Sequence, residues 1–336
     1  MRKLTSPLLL ILVFFALSSC DHLRDYLEEP KPHEPGTKEF ATGLATPLGI
    51  DLDKYQRLWV AEAGTGMNDG QVSVVLPNGQ VHTVLEGFVS VSDPQGLPSG
   101  LNHLLYDNGT LWILNGVSGR LYKADVSNFM PGDAPMQASE LEYQEIRPFI
   151  LNLGYHESNA YKMAMGPGGE LYIVDAGANA IIRRDSQTSE LSIFTEFAPI
   201  TNPTNVGPPQ IDPVPTGIVF DKDRFLVTTL TGFPFLEGLA TIYEVDLDGN
   251  QSVYQDGLTT LVDIEIPANK RPLVLQFAEF GPTGWIPGTG QIIQATETQT
   301  TMQHSGLTTA ADMELVGPRV AYVSNLAEGK IIRVTF

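Results

Sequence analysis

The chain has 336 residues, of which 42% are hydrophobic and 18% charged, so it can bury a large core and is not a disordered polymer. A formal charge of −19 repels phosphate backbones and argues against nucleic-acid binding. Cys20 is the single cysteine, which excludes an intrachain disulfide, a thiolate metal site or a second thiol nucleophile.

At the N-terminus, Arg2 and Lys3 precede an apolar run from Pro7 to Leu17 that is too short to span a bilayer. The run closes on Leu17-Ser18-Ser19-Cys20, the pattern of a bacterial lipobox. Residues 1–19 read as a lipoprotein signal peptide and Cys20 as the lipidation site, giving an exported chain anchored to the cell envelope, facing the periplasm or the outer surface. Residues 20–38 are rich in acidic residues and proline and read as an extended tether. The remainder, residues 39–336, reads as one domain.

That domain is built from an internal repeat. A short strand such as Gly49-Ile50-Asp51-Leu52 is followed by an apolar one, Leu58-Trp59-Val60-Ala61-Glu62, then by Gln71–Val75 and Val81–Leu85. The first strand recurs with its leading residue at Gly49, Asn102, Lys162, Gly217, Asp263 and Asp312, roughly 46 to 60 residues apart. The second returns as LWILN, LYIVD, FLVTT, LVLQF and AYVSN, and the third as RLYKAD, AIIRRD, TIYEVD, QIIQAT and KIIRVT. The sixth unit lacks a fourth strand, while Glu39–Leu44 is a fourth-strand sequence with no unit before it. Pairing the two removes an exposed edge and closes a ring, so the expected fold is all-β: a six-bladed β-propeller of four-stranded blades sealed by its N-terminal strand.

Such a ring sends its fourth-to-first and second-to-third connections to one face. Those connections are long and rich in Gly and Pro here, whereas the first-to-second turns are short, so the elaborated face and its pore are where a ligand is expected. Expected pore residues are Asn102, Asn159, Lys162, Asp263 and Asp312, with Glu62 and Asp175 at second-strand ends nearby. Asn102, Asp263 and Asp312 offer oxygens for a calcium ion in the central pore, or bond to backbone and pore water. Lys162 instead predicts an ion pair with Asp263 or Asp312, or an anion site. Phe233, Phe235 and Trp285 form either an aromatic rim for a flat ligand or staples for their loops. His156 and His103 are the histidines placed to take part in a site; the six histidines show no metal-binding spacing, and no G-x-S-x-G elbow occurs.

Ser158-Asn159-Ala160-Tyr161, Val174-Asp175-Ala176-Gly177, Leu230-Thr231-Gly232-Phe233-Pro234-Phe235 and Tyr322-Val323-Ser324-Asn325 resemble the ScyD/ScyE family, related to NHL and TolB-like six-bladed propellers. The resemblance covers roughly residues 39 to 336 and implies an extracytoplasmic propeller. It departs from the family where Ala160 and Lys162 stand in place of the usual Pro and Gly. The expected function is a binding or scaffolding module for a small molecule or an envelope protein, acting as a monomer and held to the membrane through Cys20. The alternative is a calcium-dependent hydrolase similar to gluconolactonases and paraoxonases. Those enzymes place acidic or amide ligands before the first-strand glycine, where this chain has Leu48, Leu101, Tyr161, Thr216, Val262 and Ala311.

Overall fold

The structure is a computed structural model that describes residues 35–93 and 96–336. The residues read above as signal peptide, lipidation site and tether, up to residue 34, lie outside the described residues.

Six sheets form the ring, antiparallel except where Met136–Gln137 adds a short parallel fifth strand to the outer edge of blade 1. From the axis outward, blade 1 runs Pro47–Leu52, Leu58–Glu62, Gly70–Val75 and Val81–Phe88, and blade 2 runs Leu101–Asp107, Thr110–Asn115, Arg120–Asp125 and Glu142–Glu145. Blade 3 is Ala160–Met165, Leu171–Asp175, Ala180–Arg184 and Leu191–Glu196; blade 4 is Pro215–Asp221, Arg224–Thr229, Ala240–Asp246 and Gln251–Leu258. Blade 5 is Leu261–Glu265, Leu273–Gln276, Gly290–Ala295 and Thr300–Leu307. Blade 6 takes Ala310–Gly317, Val320–Asn325 and Lys330–Thr335, and its outermost strand is the N-terminal Gly36–Thr42, paired from Gly36↔Thr335 to Thr42↔Lys330. This seam is the closure expected from the sequence. Its strand starts at Gly36, so residues 36–38, read above as tether, belong to the ring.

Burial explains the composition of each strand. Second strands are covered on both faces by neighbouring blades, and LWVAE and LYIVD are buried throughout. Outermost strands carry one covered face at most, and TTMQHSGL is largely exposed. The apolar side chains meet in six clusters, one in each wedge between adjacent blades, with Trp59, Phe88 and Phe225 among the fully buried. Each such side chain contributes about 1.5–3 kcal/mol by burial.

The chain enters the ring at Gly36 on the face that carries the short first-to-second turns, here the turn face. The opposite loop face carries the Ile200–Thr201 and Gln210–Ile211 ribbon, the Glu279–Gly281 and Gly284–Ile286 ribbon, and the helix Arg147–Asn152.

Candidate functional site

Every inner strand spends one extra residue against its second strand near the loop face. The register slips between Pro47 and Ile50, Leu101 and Leu104, Ala160 and Lys162, Pro215 and Ile218, Leu261 and Asp263, and Ala310 and Asp312. A bulge of this kind re-aims the next side chain, and the residues brought level around the axis are Gly49, His103, Lys162, Gly217, Asp263 and Asp312. In blade 2 the position therefore belongs to His103, not Asn102 as the repeat alignment placed it; two adjacent polar residues hid the one-residue offset.

Lys162 spans the pore from blade 3. Its ammonium bonds Asp263 of blade 5, and Asp312 of blade 6 at 2.6 Å. Each carboxylate also ties its blade to the next: Asp263 accepts from the Met313 amide at 3.0 Å, and Asp312 from the Ile50 amide at 2.7 Å. Burial opposes the charge on Lys162, but Asp263 and Asp312 more than offset it and hold its pKa well above the ordinary value. Burial pushes Asp263 up to about 7, with Lys162 pulling against it and Asp312 reinforcing it.

His103 completes this level. Its Nδ1 lies 2.9 Å from the Tyr161 carbonyl, so Nδ1 carries the hydrogen and Nε2 presents a lone pair. Burial, reinforced by Lys162, lowers its pKa to about 3, which keeps the ring neutral. Nε2 is fully buried, 3.6 Å from Asp312 Oδ2, and has no hydrogen-bond donor.

Two residues further along the inner strands, toward the turn face, the channel wall changes. Blades 1, 5 and 6 present Asp51, Glu265 and Glu314, whereas Leu105, Ala164 and Val219 of blades 2, 3 and 4 pack in the wedges between blades. Asp51 accepts from the Tyr106 amide at 2.5 Å and the Leu52 amide at 2.8 Å, yet burial raises it to about 7. Burial also raises Glu265 and Glu314 well above the usual carboxylate range, and the neighbouring carboxylates add to it. The alternation of Asp263 with Glu265 and of Asp312 with Glu314 was the available sequence signal for this wall.

At the loop face the pore is flanked by a polar cavity of about 240 Å³, lined by Ser99, Asn102, Arg147, Glu157 and Asn159, with Gly116 beneath. Asn102 Nδ2 donates to Asn159 Oδ1 and to the Ala160 carbonyl, both at 2.8 Å. That leaves Asn102 Oδ1 as an acceptor and Asn159 Nδ2 as a donor for the cavity. The pair fits only because residue 116 is glycine: a Cβ there would lie 2.3 Å from Asn102 Nδ2 and 2.4 Å from Asn159 Oδ1. Arg147 braces the wall through the carbonyls of Val117 at 2.6 Å, Gly116 at 2.5 Å and Ser158 at 3.2 Å.

The remaining expected residues sit elsewhere. Glu62 is fully buried within blade 1, accepting from the Ala45 amide, Ser73 and Gln71. Asp175 accepts from Ser158 Oγ and the amides of Asn159, Gly177 and Ala178, so it anchors the loop that carries Asn159 instead of lining the pore. His156 is exposed beside Glu157. Phe233, Phe235 and Trp285 do come together, packed with Phe280 and Phe277 across the loops of blades 4 and 5; Phe233 remains 50% exposed.

A calcium ion needs several oxygens aimed at one point. Here the Lys162 ammonium stands between Asp263 and Asp312, Asn102 turns its amide nitrogen to Asn159, and no group of three His, Cys, Asp or Glu among the described residues is arranged to hold a metal. The donor set does not fit the ion.

No family model matches the sequence, and no curated protein matches it. Solved structures do match in fold. Virginiamycin B lyase from Staphylococcus aureus is 12% identical with a TM-score of 0.55, over 90% of this chain and 100% of its own. A putative gluconolactonase is 11% identical with a TM-score of 0.54, over 90% and 93%, and a luciferin-regenerating enzyme is 11% identical with a TM-score of 0.56, over 90% and 95%. A nidogen/laminin complex is also similar, at 11% identity and a TM-score of 0.53 over 79% of this chain. The six-bladed ring is thus shared by enzymes and by a structure of two associated proteins.

Proposed function

We propose that the chain is a lipid-anchored envelope propeller that binds a small polar molecule in the loop-face cavity. The carrying observation is the unspent donor and acceptor of the Asn102–Asn159 pair, held against Gly116 where any side chain would intrude. One hydroxyl or amide of a ligand answers both. A volume of about 240 Å³ lies just under the usual range of drug-sized pockets, which suits a sugar, polyol or lactone. The ScyD/ScyE resemblance and a lipobox at Cys20 support an exported, membrane-held setting.

The binding test is thermal shift of the chain from residue 21 onward against monosaccharides, polyols and aldonolactones. A ligand at ten times its Kd stabilises by about 1.4 kcal/mol. That shift is expected to vanish in Asn159→Ala and Gly116→Ala and to survive in Phe233→Ala. Failure of every compound, or a shift indifferent to Asn159→Ala, rejects the cavity. Labelling with palmitate in a bacterial host tests the anchor, and incorporation that persists in Cys20→Ala rejects it.

A further inference from the structure

A pocket of about 440 Å³ opens in the wedge between blades 2 and 3, lined by Trp112, Leu121, Lys123, Gln144, Arg184 and Ser189. It shares no residue with the loop-face cavity. Trp112 and Lys123 are register partners on adjacent strands of blade 2, as are Leu121 and Gln144, so all four stand on one face of that sheet. Arg184 reaches in from the end of the third strand of blade 3, and Ser189 from the turn that follows it.

This lining is cationic in a chain whose formal charge is −19. The Lys123 ammonium lies 5.4 Å and the Arg184 guanidinium 4.9 Å from the centre of the Trp112 ring, within cation–π range. Among the described residues neither has a carboxylate at ion-pair distance. Neutral groups hold Arg184 instead. Its Nε donates to Gln144 Oε1 at 2.7 Å and a terminal nitrogen to Ser189 Oγ at 2.6 Å, while Gln144 donates to the Ser189 carbonyl at 2.7 Å. Two of its five N–H donors are thus used and three remain. Burial lowers the pKa of Arg184, and Asp185 only partly opposes it, so the guanidinium charge is under-compensated. Asp185 is itself spent on the amides of Gln187 and Thr188. Glu142 is exposed and stands opposite Lys123 in register without closing an ion pair. Counting Lys123 and Arg184 against Glu142, the lining keeps one net positive charge beside an indole and a leucine.

We propose that this pocket binds an organic monocarboxylate whose apolar body packs on Trp112 and Leu121 while its carboxylate takes the remaining N–H groups of Arg184, with Lys123 alongside. A planar carboxylate matches the guanidinium fork. One net positive charge suits a monoanion better than a phosphate dianion. The site stands or falls independently of the loop-face cavity.

Proton–nitrogen correlation NMR of the chain from residue 21 onward, which contains every strand of the ring, tests it with sodium benzoate as the probe, beside benzamide and phenylphosphonate. The three tryptophans, Trp59, Trp112 and Trp285, each give an indole N–H resonance, and Trp112→Phe assigns one of them. Benzoate should shift the Trp112 resonance saturably and leave the other two in place, with no shift from benzamide and a weaker one from phenylphosphonate. Arg184→Gln should weaken benzoate about tenfold or more, since hydrogen bonds to a charged group are lost, while Arg271→Gln on the surface leaves it unchanged. Arg184 also braces blades 2 and 3, so Lys123→Gln, at an exposed side chain, supplies a second variant that should weaken binding with an unchanged melting temperature. The proposal is overturned by an absence of saturable shift, by benzamide or phenylphosphonate binding as tightly as benzoate, or by equal affinity in Arg184→Gln or Lys123→Gln. A role of Arg184 as an interblade brace alone would show as the first of these.

Discussion

Replacing Lys162 with methionine keeps most of the side chain's volume and removes its charge from between Asp263 and Asp312. Both carboxylates are buried to within 1% of full coverage, so the variant leaves two acids without their shared cation. Removing one partner of a buried ion pair costs about 3–5 kcal/mol, and near 2 °C per kcal/mol at this chain length gives a melting loss of about 6–10 °C. The loss must depend on pH. The Asp263 carboxyl already stands near 7 against an unfolded 3.8, and without the ammonium it rises further. An acid whose pKa is raised by folding favours the folded state while protonated and loses that advantage as pH climbs from about 4 through its folded value. The raised pKa of Lys162 itself makes its contribution constant below about pH 10. Calorimetry at pH 5 and pH 8 should therefore show the larger deficit at pH 8, by about 1.4 kcal/mol for the one unit above the parent's folded value. Lys162→Met combined with Asp263→Asn and Asp312→Asn should recover most of the stability. An equal deficit at both pH values, or none at pH 8, would refute the account of the bridge.

Gly49→Ala places a Cβ 2.4 Å from the His103 Cα and 2.9 Å from the Asn102 carbonyl, backbone atoms that yield only if blades 1 and 2 part. Urea unfolding should report a loss of about 1–3 kcal/mol or more, whereas Gly36→Ala, with open space around it, should be neutral. Asp51→Asn removes a carboxyl whose folded pKa is about 7 against 3.8, so the variant should gain on the parent as pH rises from about 4 to about 7. The slope of that gain is up to about 1.4 kcal/mol per pH unit for one proton, and melts that run parallel across the window would contradict it. Phe235→Ala, which strips contacts at 4.9 Å to Phe280 and 4.8 Å to Trp285, should cost about 2–4 kcal/mol. Phe233→Ala, at a half-exposed ring, should cost under about 1 kcal/mol in the same assay.

The ring was legible because the repeat carries its own register: buried second strands and a displaced fourth strand admit few other arrangements. The pore was legible only in part. Lys162, Asp263 and Asp312 were found as leading residues, and their ion pairing was among the stated readings. Asn102 was taken for His103 because a bulge adds a residue without changing the apolar pattern on either side. Glu265 and Glu314 went unmarked because a polar residue alternating with apolar ones usually faces solvent, and here the solvent-like side of the inner strand is the channel. Glu62 and Asp175 end strands at the loop face, as expected, but their oxygens are spent on backbone amides, a use that depends on loop paths that no spacing rule reveals.

The seam of blade 6 also orders the assembly of the molecule. Gly36 and Thr335 are neighbours across it yet stand at opposite ends of the folded sequence. Loop-closure entropy rises by about 0.6 kcal/mol per doubling of length, so bringing such ends together in an open chain costs about 3 kcal/mol more than closing a ten-residue hairpin. Blades 1 to 5 consist of hairpins that need no distant partner, and once formed they shorten the path between the ends. The seam is accordingly expected to pair last in folding, converting a row of local meanders into a ring.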